Sequence, residues 1–369
     1  MPGASAKREA SLLAKRISPE KLAAYDPAEL VGAVLLAPVQ LTMGTLRKGT
    51  QLDAEGGGSL VAAARSGGLH QPVPLAWPEP DDLHEDSAAE ALAVAAAGSG
   101  VKRLPPRQSR LDLAAAWDGV LHVRTEALLR LNTIDSLELF TLFNGQVVRA
   151  GQVIASVKVA PHLISLATVA KGMGIACENG ESLIEVRPYQ PFDVPAIVSG
   201  AVSSADLGRF ESGAGMKLES FGSRFSGTTV IAASDAEDAE QGIRAALEKL
   251  VLSSGAPIVL VGGVSAGDPL APFFAALRSL GGRVIRHGVP AHPGSMIWLA
   301  ELAETQLLGL AQCGMFAMAT AADLILPRLL TGERLTAQSL AELAHGGVLG
   351  REMRFRFPPY ARDLESPEG

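Results

Sequence analysis

The feature that most constrains the fold is the alternation of strand-like and helix-like segments between residues 191 and 335. Strands that alternate with helices of this length are joined by right-handed crossovers, which produce a mainly parallel sheet covered on both faces. The alternation therefore predicts an α/β fold with a three-layer domain over residues 191–335. The predicted strands are 194–200, 227–234, 256–263, 283–290 and 305–312, and the predicted helices are a short one within 208–223, then 235–252, 268–282 and 317–332.

The rest of the chain has less regular patterns. Residues 1–28 are rich in Ala, Lys and Glu and are interpreted as an N-terminal extension. Residues 29–188 contain short apolar stretches broken by Gly and Pro, which predicts a strand-rich mixed α+β region. Residues 336–369 are predicted to form a C-terminal helix and a tail.

Composition excludes several classes of protein. Hydrophobic residues make up 47% of the 369 residues and charged residues 19%, which excludes a disordered chain. The net charge of −7 argues against a nucleic-acid partner, since such binders present a basic face. The two cysteines, Cys177 and Cys313, fit a reducing compartment. With no apolar segment of secretory or membrane-spanning character, we expect a cytoplasmic protein that has no membrane partner.

A glycine-rich turn follows the predicted strand 256–263. The turn reads "GGVSAGD" from Gly262 to Asp268, and a helix is predicted to start near Pro269. Ligands of parallel sheets bind where strand ends meet helix starts, and glycine lets backbone amides approach a ligand closely. The helix N-terminus adds partial positive charge and Ser265 adds a hydroxyl. The turn therefore predicts an anion site that suits a phosphate on an organic cofactor.

Asp268 places a carboxylate at this predicted anion site, and two interpretations stay open. It can be the N-cap of a helix whose first residue is Pro269. It can also hold Mg²⁺, or a metal-bound water, beside the phosphate.

Two other segments are predicted to reach the same edge of the sheet. "HPGS" ends with Pro293, Gly294 and Ser295 after the predicted strand 283–290, and Gln312, Cys313 and Gly314 end the predicted strand 305–312 or follow it. A Pro-Gly segment can be a simple turn, and one cysteine is commonly a core residue. Their predicted convergence with the glycine-rich turn favours a binding site.

These residues together resemble a known family. "GGVSAGD", "GGRVIRHGVPAHPGS" and "GLAQCG", each at a strand–helix junction, resemble the molybdopterin-binding domain of molybdenum-cofactor biosynthesis proteins, and especially a bacterial subfamily of molybdopterin-binding proteins. "GAVLLAPVQLTMGTLRKGTQL", "DLHED", "LNTID" and "AGQVIASVKVAP" also resemble that subfamily, so the likeness extends over roughly residues 30–335.

The resemblance implies a pterin site with three walls. The first wall would cradle the terminal phosphate, the second would lie opposite, and the third would follow the last strand. These walls are Gly262, Gly263, Val264, Ser265 and Gly267; then Pro293, Gly294 and Ser295; then Gln312, Cys313 and Gly314. Asp268 would be the catalytic and metal-binding residue, acting near Mg²⁺ or molybdate. Cys313 can be a soft molybdenum ligand, a cofactor contact or a core residue.

The sequence also departs from the molybdotransferase pattern. His292 replaces the lysine of the K-P-G turn, "LAQCG" replaces L-P-G-N-P, and no D-S-N segment is present; Ser203, Ser204, Asp206 and Glu211 are approximate substitutes. Three hypotheses follow: a molybdotransferase-like enzyme in late molybdenum-cofactor biosynthesis, a carrier that passes finished cofactor to a molybdoenzyme such as a molybdenum hydroxylase, and a repurposed nucleoside-diphosphate hydrolase. Relatives of this kind dimerise, so we expect a homo-oligomer.

Two further features have alternative interpretations. "DLHED", from Asp82 to Asp86, can be a metal site or an acidic turn that caps a helix at Asp86 or Ser87. Trp298 can stack on a pterin or pack in the core.

Overall fold

The computed structural model describes residues 13–106, 110–200, 202–310, 319–362 and 364. The chain divides into two compact units. The N-terminal unit contains the residues up to Trp117 together with His122–Asn144 and Ala150–Val186. The C-terminal unit contains Asp118–Leu121, Gly145–Arg149 and the residues from Arg187 onward.

The elements before residue 190 are short and strand-rich, as the broken apolar pattern predicts. In chain order they are β1 (Leu13–Ile17), α1 (Pro19–Leu22), β2 (Val34–Leu35), β3 (Val39–Leu41), β4 (Gly44–Leu46), α2 (Ala54–Arg65), β5 (Val73–Trp77), β6 (Asp82–His84), α3 (Glu85–Ala96), β7 (Val101–Arg103), β8 (Arg110–Ala115), β9 (Gly119–Val123), α4 (Thr125–Asn132), β10 (Leu137–Thr141), β11 (Val147–Val148), β12 (Val153–Val159), β13 (Leu163–Ser165), α5 (Leu166–Ala176) and β14 (Ile184–Pro188).

These strands form several small sheets with the orders β1-β5-β2, β10-β12-β8-β7, β11-β9-β14, β13-β6 and β3-β4. Strand β1 pairs antiparallel with β5, and Leu22 of α1 is fully buried. Residues 13–28, set apart by their composition, are therefore integrated into the packing of the N-terminal unit.

The elements after residue 190 are longer and more regular. They are β15 (Asp193–Ser199), α6 (Ser204–Glu219), β16 (Arg224–Ile231), α7 (Ala236–Leu247), β17 (Ile258–Gly262), α8 (Pro272–Ser279), β18 (Arg283–His287), β19 (Trp298–Leu302), β20 (Thr305–Gly309), α9 (Ala322–Leu329), α10 (Ala337–Ala341) and α11 (Pro359–Arg362). The six strands form one sheet in the order β16-β15-β17-β20-β19-β18.

Strand direction divides this sheet into two parts. Strands β16, β15, β17 and β20 run parallel to one another. Strand β19 pairs antiparallel with both β20 and β18. Strand β19 is absent from the predicted elements. It joins β20 through a two-residue turn in which Ala303 has a φ of 50°. Asn-Gly or Asp-Gly is the recognisable signal for such a turn, and Ala-Glu does not provide it.

The central strands contribute to two hydrophobic clusters because successive side chains of a strand point to opposite faces. Ile258 and Leu260 belong to a cluster that includes side chains of α6 and α9. Val259 and Val261 belong to a second cluster that includes side chains of α7 and α8. The first cluster also contains Phe357 and three leucines between residues 340 and 349, so the C-terminal segment packs with the sheet.

Two helices differ from their predicted ranges, one in length and one in its first residue. Helix α6 covers Ser204–Glu219 rather than a short piece within 208–223, because Ser203 caps it by accepting the Asp206 amide. Helix α8 begins at Pro272, three residues later than the predicted start at Pro269. The predicted helix 235–252 begins as expected, with Asp235 as its N-cap. Among the described helices, none combines the length and apolarity needed to cross a membrane.

Candidate functional site

The predicted binding loops leave the sheet at one edge. Gly262, the last residue of β17, lies opposite Val198 of β15. Val261 lies opposite Gly309, the last residue of β20, and Gly309 lies opposite Trp298. Strand order and register therefore place the ends of β15, β17 and β20 and the start of β19 side by side.

Gly263 begins the loop after β17 and has no acceptable replacement. Its φ is 78°, a conformation that side chains disfavour. A Cβ at this position would lie 2.0 Å from the Ser199 carbonyl oxygen. The backbone of β17 can thus turn closely past the end of β15 only because Gly263 has no side chain.

The loop from Gly263 to Ala266 presents a run of consecutive backbone amides. No described residue accepts a hydrogen bond from the N–H groups of Gly263, Val264, Ser265 or Ala266. The next amide, that of Gly267, donates to Ser265 Oγ over 3.2 Å. Gly263 and Ser265 are exposed, whereas Val264 is buried. Consecutive amides without described acceptors can form an anion-binding concavity.

Asp268 lies in the turn before α8 and does not cap the helix. Its Oδ1 accepts the Leu270 amide over 3.0 Å, and its backbone carbonyl accepts the Ala271 amide over 3.2 Å. The expected N-cap role is therefore wrong, because α8 begins four residues beyond Asp268 and has Ala271 as its N-cap. The Asp268 side chain is exposed. In the described part of the chain, no three His, Cys, Asp or Glu side chains are grouped so as to hold a metal ion.

The Pro293 segment forms a neighbouring wall with a different character. The His292 amide donates to the Gly347 carbonyl, the Ser295 carbonyl accepts from the Val289 amide and the Gly294 carbonyl accepts from the Ile297 amide, whereas the Gly294 and Ser295 amides have no described acceptor. Pro293 and Gly294 are buried, and Ser295 is exposed.

Met296 connects this wall to the glycine-rich loop. A Cβ on Gly267 would lie 2.9 Å from Met296 Cε, so the two loops are in close contact. Met296 is 43% exposed, which places apolar surface beside the free amides. The prediction that these two loops converge is thus reproduced in their geometry.

The third predicted wall, Gln312, Cys313 and Gly314, lies outside the described residues. The chain becomes described again at Ala319, and there it contacts the second wall. The Ala321 amide donates to the Pro293 carbonyl over 2.9 Å. A Cβ on Gly294 would lie 2.7 Å from the same amide nitrogen.

Trp298 packs in the core below the edge and does not face a ligand. It is fully buried, and its ring lies 5.1 Å from those of Phe273 and Phe274. Its indole N–H donates to the Val264 carbonyl over 3.0 Å. Trp298 therefore holds the base of the glycine-rich loop.

The acidic "DLHED" segment forms the end of β6 and the start of α3. His84 is the N-cap and accepts the Asp86 amide through Nδ1, so the predicted cap at Asp86 or Ser87 is wrong. Glu85 is buried and its Oε2 lies 2.9 Å from His162 Nδ1. The segment is used for capping and for a pair between the buried Glu85 and the partly buried His162.

A buried polar network near the second wall has no counterpart in the sequence analysis. Lys217 Nζ lies 2.6 Å from Asp323 Oδ1, and both side chains are buried. Tyr360 also donates to Asp323 Oδ1, over 2.8 Å. Burial and the neighbouring Asp323 carboxylate raise the pKa of Tyr360 well above its usual value. The sequence signal is that Lys217 follows Phe210 and Ala214 by seven and three residues, on the apolar face of α6.

A cavity of about 930 Å³ lies in the N-terminal unit, and none of the predicted site residues lines it. Its lining residues lie within Ala14–Arg16, Leu36–Thr42 and Gly68–Pro74. None of the motifs singled out above as chemical sites lines it.

No protein-family model and no curated protein matches the chain. Among solved structures, the crystal structure of the molybdopterin biosynthesis MoeA protein from Pyrococcus horikosii is similar over 70% of this chain and 80% of that one. The sequence identity is 14% and the TM-score 0.26.

Proposed function

We propose that this chain binds molybdopterin or its nucleotide-activated form at the edge formed by β15, β17 and β20, and that it acts late in molybdenum-cofactor biosynthesis. The supporting observation is the loop whose amides from Gly263 to Ala266 are free of described acceptors. In this proposal the sheet and its two helical layers are a three-layer molybdopterin-binding domain.

The loop has the chemistry that a phosphate requires. Backbone amides supply directed donors, and the Ser265 hydroxyl can donate while its oxygen accepts the Gly267 amide. Helix α8 begins at Pro272, after the turn that Asp268 closes, and has no acidic residue in its own first turn, so its positive end is not cancelled within the helix. These groups hold an anion without a lysine.

The neighbouring surface suits the organic part of the ligand. Met296 is half-exposed beside Gly267, and Leu270 is 84% exposed in the turn before α8. A polarisable thioether packs well on flat ring systems. The Pro293–Ser295 wall would limit the ligand on that side, and Gln312, Cys313 and Gly314 are proposed as the third wall.

Two roles are consistent with such a site, and Asp268 separates them. Its exposed carboxylate has one oxygen bound to the Leu270 amide, and the carboxylate is the proposed ligand for Mg²⁺ in a molybdotransferase-like reaction. A second candidate function is a carrier that does not catalyse metal insertion. It is favoured because Ser203 and Asp206, approximate substitutes for the D-S-N segment, bond to each other at the start of α6.

The test is to titrate the purified protein with molybdopterin and then to add molybdate and Mg²⁺. The proposal predicts saturable binding that inorganic phosphate competes away, and a protein that does not bind would refute it. Metal insertion into bound molybdopterin identifies the transferase, whereas binding without insertion identifies the carrier.

The variant Asp268→Asn then tests whether the carboxylate has a role in metal insertion. Asparagine can still accept the Leu270 amide, so we expect binding to be retained. If the protein is a transferase, Mg²⁺-dependent insertion should fall about 100-fold or more, since a bound metal supplies several kcal/mol. Glu219→Gln is the matched control, because Glu219 is an exposed carboxylate at the C-terminal end of α6. This substitution should leave molybdopterin binding and metal insertion unchanged.

A further inference from the structure

The buried network of Lys217, Asp323 and Tyr360 adjoins the candidate site without forming part of its surface. Lys217 is 6% exposed and Asp323 is 0% exposed. The Lys217 side chain lines a cavity of about 10 Å³ whose other lining residues are apolar. Placing an ammonium and a carboxylate in such surroundings costs desolvation free energy, and apolar side chains of similar volume would fill the space as well. The pair therefore calls for an explanation other than stability.

The explanation lies in how the hydrogen-bond donors around Asp323 are divided between its two carboxylate oxygens. Oδ1 receives Lys217 and Tyr360, at 2.6 and 2.8 Å. Oδ2 is thereby left to accept the Thr320 amide, over 2.9 Å. Two donors on one oxygen fix the orientation of the carboxylate, so that the other oxygen has a fixed position.

From Thr320 the constraint continues to the second wall of the site. Thr320 Oγ1 accepts the Ala322 amide over 3.2 Å, which closes a turn around Ala321. The Ala321 amide donates to the Pro293 carbonyl, and Ala321 occupies the space beside Gly294. A chain of direct hydrogen bonds and contacts thus connects the buried carboxylate to the Pro293–Gly294 wall.

We propose that Asp323 is a positioning residue of this site: Lys217 and Tyr360 orient its carboxylate, which holds the Thr320–Ala321 turn against Pro293 and Gly294. This inference rests on the proposed function, because it specifies how one wall of the pterin site is held. It assigns Asp323 an effect on the binding of the whole ligand and none on the phosphate loop.

Helix α9 also offers a matched control. Arg328, on the same helix, forms a second buried ion pair with Glu333, in which Nη2 lies 2.6 Å from Oε1. Arg328 also donates to the Ser339 carbonyl. The two pairs share burial and the helix, but the described contacts of the Arg328 pair do not lead to Pro293 or Gly294.

The experiment replaces each network by apolar side chains and separates affinity from stability. The test variant is Lys217→Met with Asp323→Leu and Tyr360→Phe, and the control is Arg328→Met with Glu333→Leu. We expect the test variant to remain folded and to lose molybdopterin affinity about tenfold, while competition by inorganic phosphate is unchanged. We expect the control to change the melting temperature without changing affinity.

The outcomes are distinguishable. A folded test variant with wild-type affinity overturns the inference, and so does an equal loss of affinity in the control. If the test variant does not fold, Tyr360→Phe alone decides: a fewfold loss of affinity supports the inference, and unchanged affinity overturns it. A wild-type protein that does not bind molybdopterin instead refutes the proposed function, and this inference with it.

Discussion

The two loops at the edge of the C-terminal sheet look alike in sequence and differ in structure. Both follow a strand and contain glycine and serine. The loop after β17 leaves four consecutive amides without described acceptors. In the Pro293 segment the Gly294 and Ser295 amides also have no described acceptor, but the His292 amide and the carbonyls of Pro293, Gly294 and Ser295 are bonded to residues 347, 321, 297 and 289. The amides of the first loop are available to donate hydrogen bonds to an acceptor from outside the chain. The second loop is held in place by more hydrogen bonds to its own unit. Glycine at a strand end is therefore not by itself evidence of a binding loop.

The largest expected effect comes from Gly263→Ala. The alanine would require a φ of 78° and would place Cβ 2.0 Å from the Ser199 carbonyl oxygen. We expect the free energy of unfolding to fall by roughly 3–5 kcal/mol, since strain and overpacking add. In any protein that remains folded, affinity for inorganic phosphate should be lost. Urea denaturation and calorimetric titration measure the two quantities, and retained phosphate binding would contradict the assignment of this loop.

Gly294→Ala should have a somewhat smaller effect and a different pattern. Its φ is 115°, and the added Cβ would lie 2.7 Å from the Ala321 nitrogen. We expect a loss of about 2–4 kcal/mol in the free energy of unfolding. Folded protein should bind phosphate normally but molybdopterin weakly, because a wall has moved and the amides have not. Loss of phosphate binding would show that the two loops do not have separate roles.

The smallest effects are expected from the exposed serines, one on each loop. Ser265→Ala removes a hydroxyl that can donate to the ligand and that accepts the Gly267 amide. A hydrogen bond of about 1 kcal/mol predicts roughly a fivefold loss of phosphate affinity, with little change in stability. Ser295→Ala is the matched control and should change phosphate affinity less than twofold. Equal effects of the two substitutions would remove the distinction between the loops.

The sequence predicted the part of the fold that depends on local pattern. Strand β17 is a continuous apolar run, and β15 and β20 contain shorter apolar stretches. The Asp235 cap is a strong local signal for α7. Strand β19 could not be predicted, because alanine at position 303 is not a residue type that indicates the left-handed turn at which the chain reverses. The start of α8 was placed too early because Asp268 and Pro269 imitate a helix start, whereas Asp268 closes a turn with Leu270.

The site was predictable to a similar extent. The glycine-rich loop and the Pro293 segment could be placed at one edge because parallel strands end together. The role of Asp323 could not be found in this way. Its partners Lys217 and Tyr360 lie 106 and 37 positions away in the chain, and a network of that kind depends on tertiary packing.

Trp298 gives the glycine-rich loop an optical reporter. Its ring packs directly over Gly309, where a Cβ would lie 1.9 Å from Cε2, and its N–H is bonded to the Val264 carbonyl. Any ligand that pulls the Val264 peptide would change the electrostatic field at the indole, and therefore its emission wavelength. With three tryptophans in the chain, replacing Trp77 and Trp117 by phenylalanine would isolate that signal. Occupancy of the loop could then be followed without labelling either molecule.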